Sequence, residues 1–107
     1  MVQTSKKYLI LTYDNTLNGL LSAIFDVYRL KLEEFDIRPT LSLQEDFFKP
    51  ILRVSTNKAK ANRIKIGLKK RTGQNLLPYL QGLFEDTPKK EEVIYQLIKT
   101  AFATNAR

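Results

Sequence analysis

The sequence predicts an α+β domain in which a small sheet of two or three short strands packs with about four helices. Three observations lead there. The hexapeptide Tyr8-Leu9-Ile10-Leu11-Thr12-Tyr13 is largely β-branched or aromatic and stops at the turn formers Asp14-Asn15. Two segments, one after Thr16 and one after Thr87, repeat apolar residues at the i, i+3, i+4 spacing of a helix. The chain has 107 residues, 43% of them hydrophobic, which supplies one core but not two. Residues 1–107 are therefore expected to form a single domain.

Taken in order, Tyr8–Tyr13 reads as a buried strand. Thr16 then caps a helix whose positions Leu17, Leu20, Leu21, Ile24, Val27 and Tyr28 form one stripe, running to about Leu32 or Glu34. Gly19 in its first turn costs up to about 1 kcal/mol relative to Ala, so either something packs close there or the backbone must be approached. Pro39 and Pro50 interrupt the region from Phe35 to Pro50, which is expected to be a loop with one brief strand at Thr40-Leu41-Ser42-Leu43. Ile51-Leu52-Arg53-Val54 reads as a further strand, followed by Ser55 or Thr56 as cap of a helix from about Asn57 to Arg71. Gly73 suits the left-handed end of that helix. Leu76, Leu77, Leu80, Leu83 and Phe84 support a short helix with Pro78 in its first turn. Thr87-Pro88 reads as cap and first-turn proline of the last helix, which runs to about Thr104. Its apolar positions Val93, Ile94, Leu97, Ile98, Ala101 and Phe102 span more than one stripe, so a thin helical layer is not expected to cover them all. The face over residues 93–102 is then a candidate homodimer surface, the plainer reading being that the sheet and the first helix cover it entirely.

The chain contains neither cysteine nor histidine. Thiolate nucleophiles, disulfides, imidazole bases and the usual zinc and iron–sulfur sites are excluded with them, and no metal or cofactor is expected. Eleven carboxylates, five tyrosines and the lysines remain for acid–base chemistry, and each needs strong tuning to act near neutral pH. No spacing announces a catalytic pair; Asp14 and Asp26, twelve positions apart, are expected to be structural. No apolar run is long enough to span a bilayer, and the start of the chain lacks the apolar stretch of a signal peptide, so a cytoplasmic location without membrane contact is expected.

The net charge is +7, and its distribution is uneven. From Phe47 to Phe84 there is no acidic residue, while nine of the eighteen basic residues fall in that stretch. Lys58, Arg63, Lys65, Lys69, Lys70 and Arg71 decorate the predicted helix, and such a face suits an anionic partner, with weak and nonspecific contact to DNA as the leading case. The other reading is a solvated, lysine-rich surface. Tyr79, Phe84 and Tyr95 are expected in the core rather than stacked on bases. The strand-to-helix junction Tyr13, Asp14 and Gly19 is a candidate anion site built on backbone amides, against the plainer reading of a capped turn with Gly19 permitting close packing.

Tyr13-Asp14-x-Thr16-x-x-Gly19-Leu20-Leu21-Ser22-Ala23-Ile24-Phe25, followed by Ile51-x-x-x-Ser55-Thr56-x-x-Lys60-Ala61-x-Arg63-Ile64-x-x-Gly67-Leu68-Lys69-Lys70, resembles the bacterial "probable DNA metabolism protein" family, a domain of unknown function. Tyr79-Leu80-x-x-Leu83-Phe84 and Ile94-x-x-Leu97-Ile98-x-x-Ala101-Phe102 extend the likeness over nearly the whole chain. The resemblance implies a DNA-repair or DNA-modification setting, beside a radical-SAM protein and in some members joined to a uracil-DNA-glycosylase-like domain. It also implies a longer protein of which this chain is the N-terminal part, continuing past Arg107. It carries no catalytic residues to transfer. Where relatives begin the second helix with an acidic residue, this sequence has Asn57-Lys58, which makes the face more basic. The expected function is a non-catalytic accessory domain offering a basic docking surface. Two alternatives stay open: a protein-interaction module that recruits the radical-SAM or glycosylase partner without touching nucleic acid, and an enzyme with an unrecognised carboxylate or tyrosine site.

Overall fold

The computed structural model describes residues 8–40 and 50–103. The apolar hexapeptide is β1 (Tyr8–Tyr13), the central strand of a three-stranded parallel sheet. Ile10, Leu11, Thr12 and Tyr13 are all buried although they alternate between the two faces, as expected of a strand inside a parallel sheet. Thr16 then caps α1 (Leu17–Leu30), its Oγ1 accepting the Gly19 N–H at 2.9 Å. Nine of the fourteen residues of α1 are buried, which makes it the most enclosed helix of the fold. Its chain reverses at Lys31, whose φ of 55° places it in the left-handed region. The Lys31 N–H donates to Tyr28 O and the Leu32 N–H to Val27 O, satisfying carbonyls that the helix leaves open. The helix therefore stops short of the expected Leu32 or Glu34, and no glycine marks the place.

The main correction concerns the region expected to be loop from Phe35 onward. Glu34–Pro39 is β2, parallel to β1 in a register that pairs Tyr8 with Glu34 and Tyr13 with Pro39. Its residues alternate polar and apolar, with Phe35 and Ile37 packed in or against the core. Pro39 ends an edge strand, where its missing N–H breaks no ladder hydrogen bond. Of the brief strand expected at Thr40–Leu43, Thr40 follows β2 and donates its hydroxyl to Tyr13 O at 3.0 Å, while residues 41–43 lie outside the described residues. On the other side of β1, β3 (Ile51–Arg53) pairs Ile10 with Ile51 and Thr12 with Arg53, also in parallel. The Val54 N–H extends that ladder to Thr12 O at 2.8 Å.

Three helices complete the layer. The N-cap of α2 (Lys58–Thr72) is Asn57 rather than Ser55 or Thr56; its side chain accepts the Lys60 N–H, and Gly73 closes the helix at φ 74°. Pro78 lies in the first turn of α3 (Leu77–Asp86), as the sequence predicts. Thr87 is the C-cap of α3 instead of the N-cap of the next helix. A residue before proline is pushed out of the helical region, so Pro88 ends α3, and α4 (Lys90–Ala103) starts only after Lys89 at φ 56°.

Ile94 and Ile98 of α4 are fully enclosed, Leu97, Ala101 and Phe102 are half-buried, and only Val93 of the expected surplus is exposed. Phe102 accounts for much of this. Its ring lies 5.6 Å from Tyr28 and against Gly67 of α2, where an added Cβ would stand 3.0 Å from its Cζ. The fold itself thus covers most of the apolar face over residues 93–102. Gly67→Val should destabilise the protein by about 1–3 kcal/mol in urea unfolding through overpacking. The cost should shrink in a Phe102→Ala background, because the two side chains compete for one space.

Candidate nucleic-acid interface

Ala61, Ile64 and Leu68 seat α2 on the rest of the molecule, and at roughly 100° per residue the opposite side of the helix carries residues 58, 59, 62, 63, 66, 69 and 70. All seven are exposed. Of the residues expected to meet an anionic partner, Lys58, Arg63, Lys69 and Lys70 stand on this open side, and Lys65 lies partly covered at its border. Arg71 does not belong with them. Its Nη1 donates to Phe102 O, and its guanidinium lies 5.5 Å from the Phe102 ring centroid, so it clamps α2 to the end of α4. Lys60 is engaged as well, donating to the buried Asp26 carboxylate at 2.9 Å. Arg29 donates to the same oxygen at 3.1 Å. Asp26 is therefore an ion-pair hub between α1 and α2, and no group of three or more acidic residues among the described residues is placed to hold a metal.

The face keeps a strong positive character because nothing within it or near it in sequence is acidic. Lys58, Lys65, Lys69 and Lys70 have no ion-pair partner among the described residues. Arg63 lies 6.0 Å from the Phe25 ring centroid, which leaves its guanidinium at the surface. Two surface residues escaped the sequence reading. Ile66 is 60% exposed in the middle of the face, and Tyr79, expected in the core, is 57% exposed on α3. Phe84 and Tyr95 do pack inward, Phe84 edge-on to Tyr13 and Tyr95 edge-on to Phe35. A periodic pattern tells which residues share a stripe, but the width of the buried stripe is set by how many elements cover it. At Tyr79 the cover runs out.

The junction of β1 and α1 is filled from within. The Asp14 carboxylate accepts from the Thr16 N–H at 3.1 Å, the Thr16 hydroxyl at 2.6 Å and the Thr56 hydroxyl at 2.6 Å. It lies directly over Gly19, where an added Cβ would collide with Asp14 Oδ1 and stand 3.0 Å from Thr56 Oγ1. An incoming anion would meet this carboxylate at the helix terminus, and the geometry is that of a capped turn. Partial burial works against the charge of Asp14, but the hydrogen bonds from Thr16 and Thr56 outweigh it and hold the carboxyl below the usual carboxylate range. Tyr13 is buried beside it, and its hydroxyl donates to Glu91 Oε2 at 2.6 Å. Burial first, then the hydrogen bond and the charge of Glu91, raise its pKa well above the ordinary phenol value. Tyr13 therefore stays protonated and is unsuited to act as a base near neutral pH.

A cavity of about 510 Å³ lies between β2 and α4. Its lining sets four carboxylates, Glu33, Asp36, Glu91 and Glu92, against Lys89 and Lys99, an excess of negative charge that does not suit a nucleic-acid phosphate. No helix among the described residues is long and apolar enough to cross a membrane. Comparison with protein-family models, curated proteins and solved structures finds no match to this chain.

Two outcomes test the junction. Gly19→Ala should destabilise the protein by about 1–2 kcal/mol, although Ala is the better helix former, because the Asp14 hydrogen bonds must break to admit the methyl group. Asp14 is more acidic folded than unfolded, so its contribution is present above the unfolded carboxyl pKa and is lost as pH falls through the lower, folded one. The stability difference between the native chain and Asp14→Asn, followed by urea unfolding across pH, should be largest near neutrality and shrink in acid.

Proposed function

We propose that this chain is a non-catalytic accessory domain whose basic α2 face docks on nucleic acid, in a DNA-repair or DNA-modification setting where another protein supplies the chemistry. The observation that carries this reading is the exposure of Lys58, Arg63, Lys69 and Lys70, bordered by Lys65, on one helix side within a stretch that has no acidic residue. Each such cation near a phosphate releases a condensed counterion, which drives weak, sequence-independent attachment. Positioning the lysines needs no further device, since a regular helix already spaces them along one side. The resemblance to the DNA metabolism family supports the same setting, with a radical-SAM protein or a uracil-DNA-glycosylase-like domain as the companion and the cytoplasm as the location.

Fluorescence anisotropy with a labelled oligonucleotide tests the docking surface. Affinity should fall steeply as salt rises, and changing Lys58, Lys65 and Lys69 together to Glu should weaken binding at low salt by at least about tenfold. Unchanged affinity in that variant removes the face from the function and leaves recruitment of a protein partner as the better reading.

A further inference from the structure

We infer that α2 enters the major groove of duplex DNA, with Asn62 and Ile66 toward the base edges and its two basic flanks on opposite phosphate strands. The inference rests on the docking role of the same helix and names the nucleic acid that its shape fits.

The argument starts from how the exposed side is arranged. At about 100° per residue, Lys58, Lys65 and Lys69 fall within roughly 40° of one another around the helix, and Arg63 and Lys70 within roughly 20°. These two groups are separated by about 120°, and between them lie Asn62, Ile66 and Ala59. The cations thus form two rails, and the strip between the rails carries no charge. A surface built only for nonspecific attraction has no need of an uncharged centre. Ile66 at the middle of the strip is the most exposed of the large hydrophobic side chains among the described residues.

Dimensions choose the groove. A helix with its side chains is about 10–12 Å across, which matches a B-form major groove about 12 Å wide and is too broad for a minor groove about 6 Å wide. Lysine and arginine flanks on a seated helix face the two phosphate backbones that border the groove, while the central strip faces the floor. Asn62 and Ile66 are one helical turn apart and suit what the floor presents at A·T pairs. A carboxamide can pair with the N6 and N7 positions of adenine, and an aliphatic side chain can lie against the thymine methyl. A-form RNA has a deep, narrow major groove that side chains do not reach, so the same geometry disfavours an RNA duplex. Single strands lack the paired phosphate rails altogether.

The experiment compares four probes by anisotropy at one salt concentration: an A·T-rich DNA duplex, a G·C-rich DNA duplex, an RNA duplex and a DNA single strand. The native chain should bind the A·T-rich duplex best, by about fivefold or more over each of the others. Asn62→Ala combined with Ile66→Ser changes only exposed positions, and its folding is verified by circular dichroism and thermal unfolding. This variant should lose the A·T preference while keeping the affinity for G·C-rich DNA that the rails supply. Equal binding to all four probes, tighter binding to RNA or single strands, or a preference that survives the double change overturns the groove reading. The variant with Lys58, Lys65 and Lys69 changed to Glu separates the two levels. If it loses binding while the native chain shows no preference for duplex DNA, the docking surface stands and the groove inference falls. If it binds as the native chain does, both fall.

Discussion

The Asp14 carboxylate joins three parts of the chain that are distant in sequence or differ in direction. It follows the last residue of β1, accepts the amide and hydroxyl of the residue that caps α1, and accepts the hydroxyl of Thr56 just before α2. Ser22 repeats the connection one turn further along α1, where its Oγ accepts the Asn57 N–H at 3.0 Å. Asp26 repeats it a second time through Lys60. These contacts follow one side of α1 and fix the start of α2 against it, which sets the rotation of α2 about its own axis. That rotation decides which of its basic residues reach solvent. Gly19 is the condition for the arrangement, since any side chain there would displace the carboxylate that begins the series.

The basic residues of α2 consequently divide into two kinds. Lys60 and Arg71 lie toward the rest of the protein, one on the buried Asp26 and the other over Phe102 with a hydrogen bond to its carbonyl. A lysine or arginine suits such a position because its aliphatic stem packs while its charged end finds a partner. The remaining cations have no ion-pair partner among the described residues and keep a positive field on the open side. Of the described acidic residues, Glu33, Asp36, Glu91 and Glu92 line the cavity between β2 and α4. Net charge alone would not have revealed this separation.

Aromatic contacts hold the last helix in place. Tyr95 meets Phe35 at 5.1 Å between centroids and Tyr28 at 6.4 Å, and Phe102 meets Tyr28 at 5.6 Å. Tilted and edge-on pairs of this kind add to the burial of the rings themselves. They connect α4 to β2 and α1 at once, and for this reason the wide apolar face of α4 is largely taken up within the molecule. Besides these ring contacts, α4 packs against β2, α2 and α3.

β1, the capped start of α1, the bodies of all four helices and the position of the basic stretch are legible in the amino-acid sequence. Each rests on a local cause: an apolar run, a hydroxyl that reaches an amide three residues on, or a repeat close to the helical period. It also contained β2 in the alternation of Phe35 and Ile37, but Pro39 pointed the other way. Only pairing at a sheet edge removes that objection, because there the missing N–H has no partner to lose. Helix ends were less legible, since Lys31 and Lys89 adopt left-handed conformations that no glycine signals, and Thr56 is drawn from a capping role to Asp14. Tertiary structure alone decided that Asp14 fills the junction, that Arg71 is held by α4, and that Ile66 and Tyr79 reach the surface. Those outcomes depend on which elements lie beside a residue, and a one-dimensional pattern records the spacing of side chains along an element but not the neighbours that cover them.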